Sequence, residues 1–329
     1  MSLNYRREKL LPWACGTACG LALLGLAVRE ANLSEIVHTL GKTEPGEVGV
    51  AVLFLFLSFW LRAWRWQYLL VSLKPVPVSG LFRSTLIGFM GNYLLPLRAG
   101  ELMRAVSLGQ TQNISKSSAL GSIVLERLLD GLTLSLVPFL LVANLHLPPW
   151  IVQLNAVLFG TYVIAVIIIT FGSVHDRAQS VLKRVSRVLP KKVGSRLAWT
   201  TELFFQGTKG LSRSRAIFPV ACLSLLCWLL HGMYYYLLFK AVDLDLSFWV
   251  ALILQAVIGI AVILPAGPGY LGNFEYGTVV GLALFGIAAE EAFAYSIVAH
   301  SFQFFPVIFV GLWYAFRGGF WQALRLTTS

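Results

Sequence analysis

Residues 264–275, LPAGPGYLGNFE, interrupt an apolar stretch that would otherwise be long enough to cross a membrane. A short apolar helix is predicted before this break, from Phe248 to Ile263, and another after it, from Tyr276 to Ile287. Proline and glycine disfavour a continuous helix. Irregular backbone at membrane depth is tolerated only where it is buried in protein or lines a wet cavity. The stretch therefore predicts a re-entrant helical hairpin.

A second break of the same kind lies at residues 95–101, LPLRAGE. It joins the short apolar segment 81–95 to another short helix. Each break contains Leu-Pro, then Ala-Gly, then a glutamate, which is Glu101 in the first and Glu275 in the second. We therefore predict two re-entrant hairpins of related design.

The composition places the whole chain in a membrane. Of its 329 residues 57% are hydrophobic and 12% charged, and its mean hydropathy is +0.74. A soluble domain carries about 25% charged residues, so a soluble enzyme is excluded. A β-barrel is disfavoured because barrel strands are short and alternating. The net charge of +11 sits at the ends of apolar runs, where membrane topology and anionic lipids explain it, and we expect no nucleic-acid partner.

Apolar runs outside the two breaks predict six full spans, at about residues 10–28, 48–71, 117–143, 151–171, 216–242 and 293–316. Basic residues mark the cytoplasmic side of such a chain. Placing the N-terminal basic residues there puts the acidic turns outside and both termini in the cytoplasm. We therefore expect an all-α polytopic protein of the bacterial inner membrane, with the first hairpin entering from the cytoplasm and the second from outside.

The order span, hairpin, span then occurs twice with opposite orientation. The first repeat covers about 48–143 and the second about 216–316, within one integral membrane domain, 1–329. Inverted repeats with broken helices are typical of transporters, which bind substrate near the midplane between the repeats. The basic cytoplasmic loop between them, about 173–215, has the pattern of an amphipathic surface helix that contacts anionic lipid head groups. A solvated loop is the alternative, and the oligomeric state stays open, a homo-oligomer included.

Charged residues recur inside the predicted membrane segments, where each costs about 2.5–3.5 kcal/mol near the bilayer centre. Either they pair with one another for structure alone, or they line a cavity for a charged head group. Arginine suits phosphate because its planar fork binds two oxygens. The candidate substrate-binding residues are Arg98, Gly100, Glu101, Arg104, Glu126, Arg127, Asp130, Gly267, Gly269, Asn273 and Glu275. The two hairpin glutamates are candidates to bind an amine, take up a proton or hold the arginines.

Other polar residues carry weaker signals. Arg62 and Arg65, near the end of the second span, either extend to the membrane surface or take part in function. His300 in the last span is a candidate to titrate, but a lone histidine is more often a satisfied residue of the bundle, which is the preferred interpretation. The Asp-Leu-Asp turn at 243–245 is too short to favour a metal site. The cysteines lie in apolar runs, and no nucleotide-binding loop, catalytic triad or zinc pattern occurs. We expect no metal and no cofactor.

An ordered set of motifs runs through most of the chain. It comprises Arg62, Arg65 and Trp66, then Gly91-Asn92, Leu95-Pro96, Arg98 to Glu101 and Arg104, then Glu126, Arg127 and Asp130, and finally Pro265 to Glu275. In this order the motifs resemble the flippase-like lysylphosphatidylglycerol synthase transmembrane region family. The resemblance implies a membrane domain that translocates lipids such as aminoacylated phosphatidylglycerol. Other members are linked to hopanoid or glycolipid pathways. The resemblance concerns the membrane domain only, without the soluble aminoacyl-transferase domain that some members carry.

The leading hypothesis is therefore a lipid translocator rather than an enzyme, with membrane lipids as its partners. A head group would enter between the hairpins while the acyl chains stay in the bilayer. The alternatives are a membrane-embedded transferase that acts on a lipid-linked substrate and an accessory subunit of a lipid-synthesis complex. In a transferase the buried carboxylates would serve as general acid or base.

Overall fold

The computed structural model describes residues 17–27, 33–95, 98–141, 148–174, 202–212 and 214–318. These residues form helices joined by short connections, with no strand among them. The helices are α1 (Thr17–Ala27), α2 (Leu33–Gly41), α3 (Pro45–Leu70), α4 (Val78–Leu94), α5 (Gly100–Gln112), α6 (Lys116–Leu141), α7 (Pro149–Val174), α8 (202–208), α9 (Ser214–Ala241), α10 (Phe248–Ala261), α11 (Asn273–Ala283) and α12 (Ala289–Arg317). Short 3-10 turns lie at Lys209–Ser212 and Pro268–Tyr270. The all-α prediction is confirmed for this part of the chain.

Four helices are long and apolar enough to cross a membrane, so the chain is a multi-pass membrane protein. They are Pro45–Leu70, Ile151–Thr170, Arg215–Ala241 and Ala289–Arg317. Each matches a predicted span. Helix α6 is also 26 residues long, but charged residues interrupt its apolar character midway. Of the predicted first span, only the part in α1 lies within the described residues.

The structure departs from the sequence prediction at two helices. Residues 33–41, which lie between the first two predicted spans, form an additional helix, α2, which packs against α12 through apolar residues such as Leu40. Helix α11 begins at Asn273 rather than Tyr276, because Glu275 satisfies the Gly272 amide at its start. Three predicted features lie outside the described residues: most of the basic amphipathic segment, the N-terminal basic residues, and Pro96 of the Leu-Pro dipeptide in the first break.

The ends of the helices fall into two groups. At one end, the Glu44 amide donates to the Ala241 carbonyl at 2.8 Å, which joins the start of α3 to the end of α9. His38, Asp243 and Glu291 line a surface groove at the same end. Because α10 begins just after Asp245 and α11 ends just before α12, the α10–α11 pair both starts and finishes here.

The opposite end carries basic residues. Lys74 Nζ donates to the Gln112 carbonyl at 3.1 Å, which joins the end of α3 to the end of α5. Arg83 of α4, Gln112 and Tyr314 of α12 share a groove there. The α4–α5 pair therefore starts and finishes at the end opposite to that of the α10–α11 pair.

The two helix pairs meet at their turns, inside the molecule. Arg98, in the turn between α4 and α5, donates through Nη2 to the carbonyl of Val262 at the end of α10, at 3.1 Å. Helix α4 also packs along the Pro268–Tyr270 turn, where the rings of Tyr93 and Tyr270 lie 5.9 Å apart. Contact between the turns brings residues from distant parts of the sequence to one place.

Helices α4 and α5 approach closely because glycines face each other. A Cβ atom added at Gly100 would collide with the carbonyl oxygen of Gly88 and the backbone of Asn92. Gly91 in turn faces Gly100 and the side chain of Met103. Gly100 is thus required by the packing of this pair.

Replacement of Gly100 by alanine should destabilise the protein by about 1–3 kcal/mol, the usual effect of overpacking a well-filled site. The direction of this stability change is informative, because replacing glycine by alanine within a helix normally stabilises a protein. Gly160→Ala in α7 is the matched control, since its Cβ meets no atom within 4 Å. Thermal unfolding of the purified variants in detergent measures both effects. Equal stability of the two variants would contradict the close packing.

Candidate functional site

Seven charged side chains on α3, α5 and α6 form a network in the interior. Helix α6 supplies Glu126, Arg127 and Asp130, and the four-residue spacing places both carboxylates on the same face. Arg62 and Arg65 of α3 lie one turn apart and face them, and α5 contributes Arg104 and Glu101. The network thus ties the first hairpin to two long helices.

Asp130 is held by two arginines of α3. Its Oδ2 lies 2.5 Å from Arg62 Nη1, and its Oδ1 lies 2.8 Å from Arg65 Nη2. Trp228 of α9 donates to Oδ1 at 3.2 Å, and Arg65 also donates to Ser224 of that helix at 3.0 Å. Arg62 is 2% and Arg65 0% exposed. The interpretation that these arginines extend to the membrane surface is therefore wrong.

Glu126 is fully buried, and four arginines surround it, of which Arg62 is the most distant at 3.7 Å. Arg104 binds it with two parallel hydrogen bonds, both 2.8 Å long, and stacks its guanidinium on Trp66 at 3.8 Å from the ring centre. Arg127 donates to Oε1 at 2.8 Å, and Arg65 Nη2 lies 3.5 Å from the same oxygen. Such a two-point bond fixes both geometry and charge.

The charges in the network do not cancel. Arg62, Arg65, Arg104 and Arg127 supply four positive charges, whereas Glu101, Glu126 and Asp130 supply three negative ones. The surplus is one positive charge. Isolated buried charges are unfavourable, so an uncompensated cation favours the approach of an anion.

A cavity of about 270 Å³ borders the network and reaches the turns of both hairpins. Its charged residues are Arg62, Arg98, Glu101, Arg127 and Asp130. Its uncharged polar residues include Asn92, Tyr93, Tyr162, His231, Tyr235, Gln255, Tyr270 and Gln303, and the aromatic residues Phe59, Phe89, Trp228 and Phe274 also line it, together with aliphatic residues and glycines. Polar and aromatic side chains from α3, α4, α5, α6, α7, α9, α10, α11 and α12 therefore converge on one space.

Arg98 stands apart from the charged network. Its backbone has a φ of 54°, which is uncommon for a residue with a side chain and is often found at functional turns. Its guanidinium bonds the Val262 carbonyl and lies 6.0 Å from the centre of the Tyr270 ring. Among the described residues it has no carboxylate partner. With Arg98, the cavity region has two positive charges in excess.

The second hairpin contains a separate polar cluster. Glu275 Oε1 lies 2.6 Å from His300 Nδ1, and its Oε2 accepts the Gly272 amide at 2.6 Å. Asn273 donates to the carbonyls of Ala261 and Leu264. These bonds close the turn and begin α11. His300, interpreted from sequence as a satisfied residue of the bundle, therefore has a carboxylate as its partner.

The predicted site residues fall into three groups. Arg98, Glu101, Arg127 and Asp130 line the cavity. Arg104 and Glu126 lie behind its wall, and Gly100 lies between α4 and α5. The last group belongs to the turn of the second hairpin and does not line the cavity: Gly267, Gly269, Asn273 and Glu275.

Several lining residues were not predicted. Trp228, His231 and Tyr235 of α9 and Gln303 of α12 lie in spans that the sequence presents as ordinary apolar helices. The sequence feature that could have indicated the three residues of α9 is their spacing, because Trp228, His231 and Tyr235 recur every three or four residues and so lie on one helix face. The Asp-Leu-Asp turn, by contrast, is at the surface, where Asp245 pairs with Lys240 at 3.2 Å.

Residues 13–311 match the family model described as "Lysylphosphatidylglycerol synthase TM region". A protein named glycosyltransferase AglD from Haloferax volcanii is 24% identical over 328 residues, covering 90% of this chain and 52% of that protein. The chain thus spans about half the length of this curated relative. Two UPF0104 membrane proteins of Methanothermobacter thermautotrophicus are 25% identical over 294 residues (84% of this chain, 85% of that protein) and 24% over 315 (89% and 91%).

Glu126→Gln should destabilise the protein by about 3–5 kcal/mol, because removal of one partner leaves buried arginines without compensation. Unfolding of the purified protein in detergent measures the loss. Asp245→Asn, which removes a carboxylate from the exposed pair with Lys240, should leave stability unchanged within error. Equal behaviour of the two variants would show that the network does not hold the helices together.

Proposed function

Because the chain belongs to the family described as the lysylphosphatidylglycerol synthase TM region, we propose that it is a lipid translocator that binds a phosphate-bearing head group in the cavity between its two hairpins. The observation that carries this proposal is the excess of positive charge in a cavity bounded by both turns. At about 270 Å³ the cavity is smaller than most drug-sized sites, which hold about 300–1,000 Å³. It therefore suits a head group, with the acyl chains left in the bilayer.

Arg98 and Arg127 are the proposed phosphate ligands. Both line the cavity, and Arg127 is the most exposed arginine of the network, at 29% of its side chain. Arginine binds phosphate oxygens in pairs, and the surplus charge compensates the anion. Glu101, 19% exposed beside Arg127, is the proposed partner for a hydroxyl or an amine of the head group.

The membrane architecture of the proposal has six spans and two re-entrant hairpins in an inverted repeat. It adds α1 and α6 to the four long apolar helices, and it treats α4–α5 and α10–α11 as hairpins that enter from opposite faces. The placement of their ends beside Lys74 and Asp243, respectively, supports this arrangement. Alternating access would come from movement of one repeat against the other. The single bond from Arg98 to Val262 is a contact that such movement can break.

The proposed location is the cell membrane, with cytoplasmic termini. The acidic end, with Asp243 and Glu291, then faces outward, and the end with Lys74 and Arg83 faces anionic lipid head groups of the inner leaflet.

A membrane-embedded transferase is the second candidate. The relative named glycosyltransferase AglD favours it, and the chain spans about half of that protein. Glu101, close to Arg127 at the cavity wall, would then be the general acid or base. Release of a modified lipid by the purified protein, detected by mass spectrometry, would support the transferase.

Translocation is tested in vesicles of phosphatidylcholine and phosphatidylglycerol that contain the purified chain and fluorescently labelled phosphatidylglycerol. Loss of fluorescence on adding dithionite reports the label in the outer leaflet. Arg98→Gln or Arg127→Gln should slow flipping about 10- to 150-fold, because one charge-assisted hydrogen bond contributes about 1.5–3 kcal/mol.

The matched control is Arg83→Gln, an exposed arginine of α4 at the basic end of the molecule. It should flip the label as fast as the wild type. If the cavity variants and this control flip at the wild-type rate, the cavity does not carry the head group.

The hairpin architecture is tested by single cysteines placed in a cysteine-free chain. A large membrane-impermeant maleimide should label Asp245→Cys from outside and Thr111→Cys from the cytoplasmic side. Ala99→Cys, in the turn of the first hairpin, should react slowly from both sides because that turn lies inside the bundle. Rapid labelling of Ala99→Cys from outside would mean that α4 and α5 each cross the membrane.

A further inference from the structure

The translocation proposal leaves one buried ionisable pair without a role. Glu275 of α11 and His300 of α12 are each 5% exposed, and 2.6 Å separates Oε1 of the one from Nδ1 of the other. Neither residue lines the cavity. Burial of the pair is unfavourable because two polar groups lose their contact with water. Capping of α11 does not require His300, since it needs only the hydrogen bond from the Gly272 amide to Glu275.

The second nitrogen of His300 has no hydrogen-bond partner in the part of the chain that the structure describes. An ionised carboxylate can only accept, so opposite an ionised Glu275 the neutral imidazole carries its hydrogen on Nδ1 and Nε2 is left as an acceptor. Among the described residues nothing donates to Nε2, although the atom is buried. A buried acceptor without a donor is unfavourable, and uptake of a proton at Nε2 converts the contact with Glu275 into an ion pair.

The pair lies one aromatic ring behind the cavity. His300 stacks on Phe274 with ring centres 4.4 Å apart, and Phe274 lines the cavity. On its other side His300 meets the edge of Phe304, which contacts Tyr93 of the first hairpin at 5.2 Å. Ring contacts therefore connect His300 to side chains of both hairpins.

The pair also anchors the turn of the second hairpin. Glu275 Oε2 holds the amide of Gly272, whose φ of 85° only glycine adopts readily. A Cβ added at Gly272 would collide with the carbonyl of Gly20 in α1. Glu275 therefore links this turn directly to His300 of α12.

The titratable groups around the pair come from every element packed on it. Helix α9 contributes Tyr234, which donates to the carbonyl of Ala299, and Tyr235. Helix α4 contributes Tyr93, which contacts Phe304 beside His300, and Tyr270 of the 3-10 turn lies next to Tyr93. Helix α12 itself contributes Tyr295, which donates to the Tyr235 carbonyl. Phenols keep their protons in neutral and acidic solution, whereas carboxylates and imidazoles change charge there.

We propose that Glu275 and His300 form a proton-binding site that couples a transmembrane pH gradient to movement of the second hairpin. The inference rests on the proposed translocation. One proton would bind at His300 Nε2 from the side with lower pH and travel with one anionic lipid. The transported pair of charges is then neutral, so the membrane potential does not oppose it.

The coupling has a thermodynamic signature. If one proton moves with one lipid, a gradient of one pH unit holds an about tenfold excess of lipid on the alkaline side. Vesicles of phosphatidylcholine with a trace of fluorescently labelled phosphatidylglycerol report this ratio through dithionite, with potassium and valinomycin clamping the potential. The wild type should accumulate the label, and a protonophore should abolish the accumulation.

Glu275→Gln and His300→Gln should each lose the accumulation and distribute the label equally between the leaflets. Glu291→Gln, an exposed glutamate at the start of α12, is the matched control and should accumulate label like the wild type. Flipping by the wild type without accumulation under the gradient would overturn the proposal. So would accumulation by both site variants.

A second measurement does not depend on transport. The chain has five histidines, so nitrogen-15 spectra of histidine-labelled protein in nanodiscs are assigned by the His300→Gln variant. The Nε2 resonance of His300 should pass from the unprotonated to the protonated form across the pH range of the transport assay, and Glu275→Gln should shift that transition. A resonance that stays in one form would refute the site itself, whereas a titrating resonance in a protein that flips no lipid would refute translocation alone.

Discussion

The structure depends on keeping seven charged side chains away from lipid while leaving one positive charge uncompensated. The two-point bond from Arg104 to Glu126 and the pair of arginines on Asp130 satisfy almost all of the network internally. Because these contacts join α3, α5 and α6, the same interactions fix the first hairpin against the bundle. Structural pairing and the proposed head-group binding are therefore compatible, because Arg98 and Arg127 face the cavity and Arg104 lies behind it.

Close approach of backbones is the second constraint. A turn that carries Arg98 can enter the bundle only if its helices take little room, and the glycines of α4 and α5 allow this. The turn of the second hairpin is covered by α1 in a similar way, through Gly20 and Gly272. Each hairpin therefore ends in a backbone conformation that its neighbours hold in place, which is the condition for irregular backbone inside a membrane protein.

Sequence patterns predicted the long helices, but they did not predict which polar side chains of different helices contact one another. The boundaries of α3, α9 and α12 followed from run length and apolar composition, because lipid imposes those features directly. The burial of Arg62 and Arg65 did not follow, since an arginine near a span end looks the same whether it reaches the surface or a carboxylate on another helix. Tyr235 and Gln303 were missed for a related reason: a polar residue in a span has no sequence neighbour that reveals the cavity it faces.

The two hairpins share a motif and use it differently. Glu101 and Glu275 both follow an Ala-Gly dipeptide, yet the first lies at the cavity wall beside Arg127 of α6 and the second bonds His300 of α12. The neighbouring long helix therefore decides which contact each glutamate makes, because Arg127 faces the first and His300 the second. In the proposed mechanism the two helix pairs divide anion binding from proton binding: the first site lines the cavity and the second lies one aromatic ring behind it, so that a change in either can move the turns where the pairs meet.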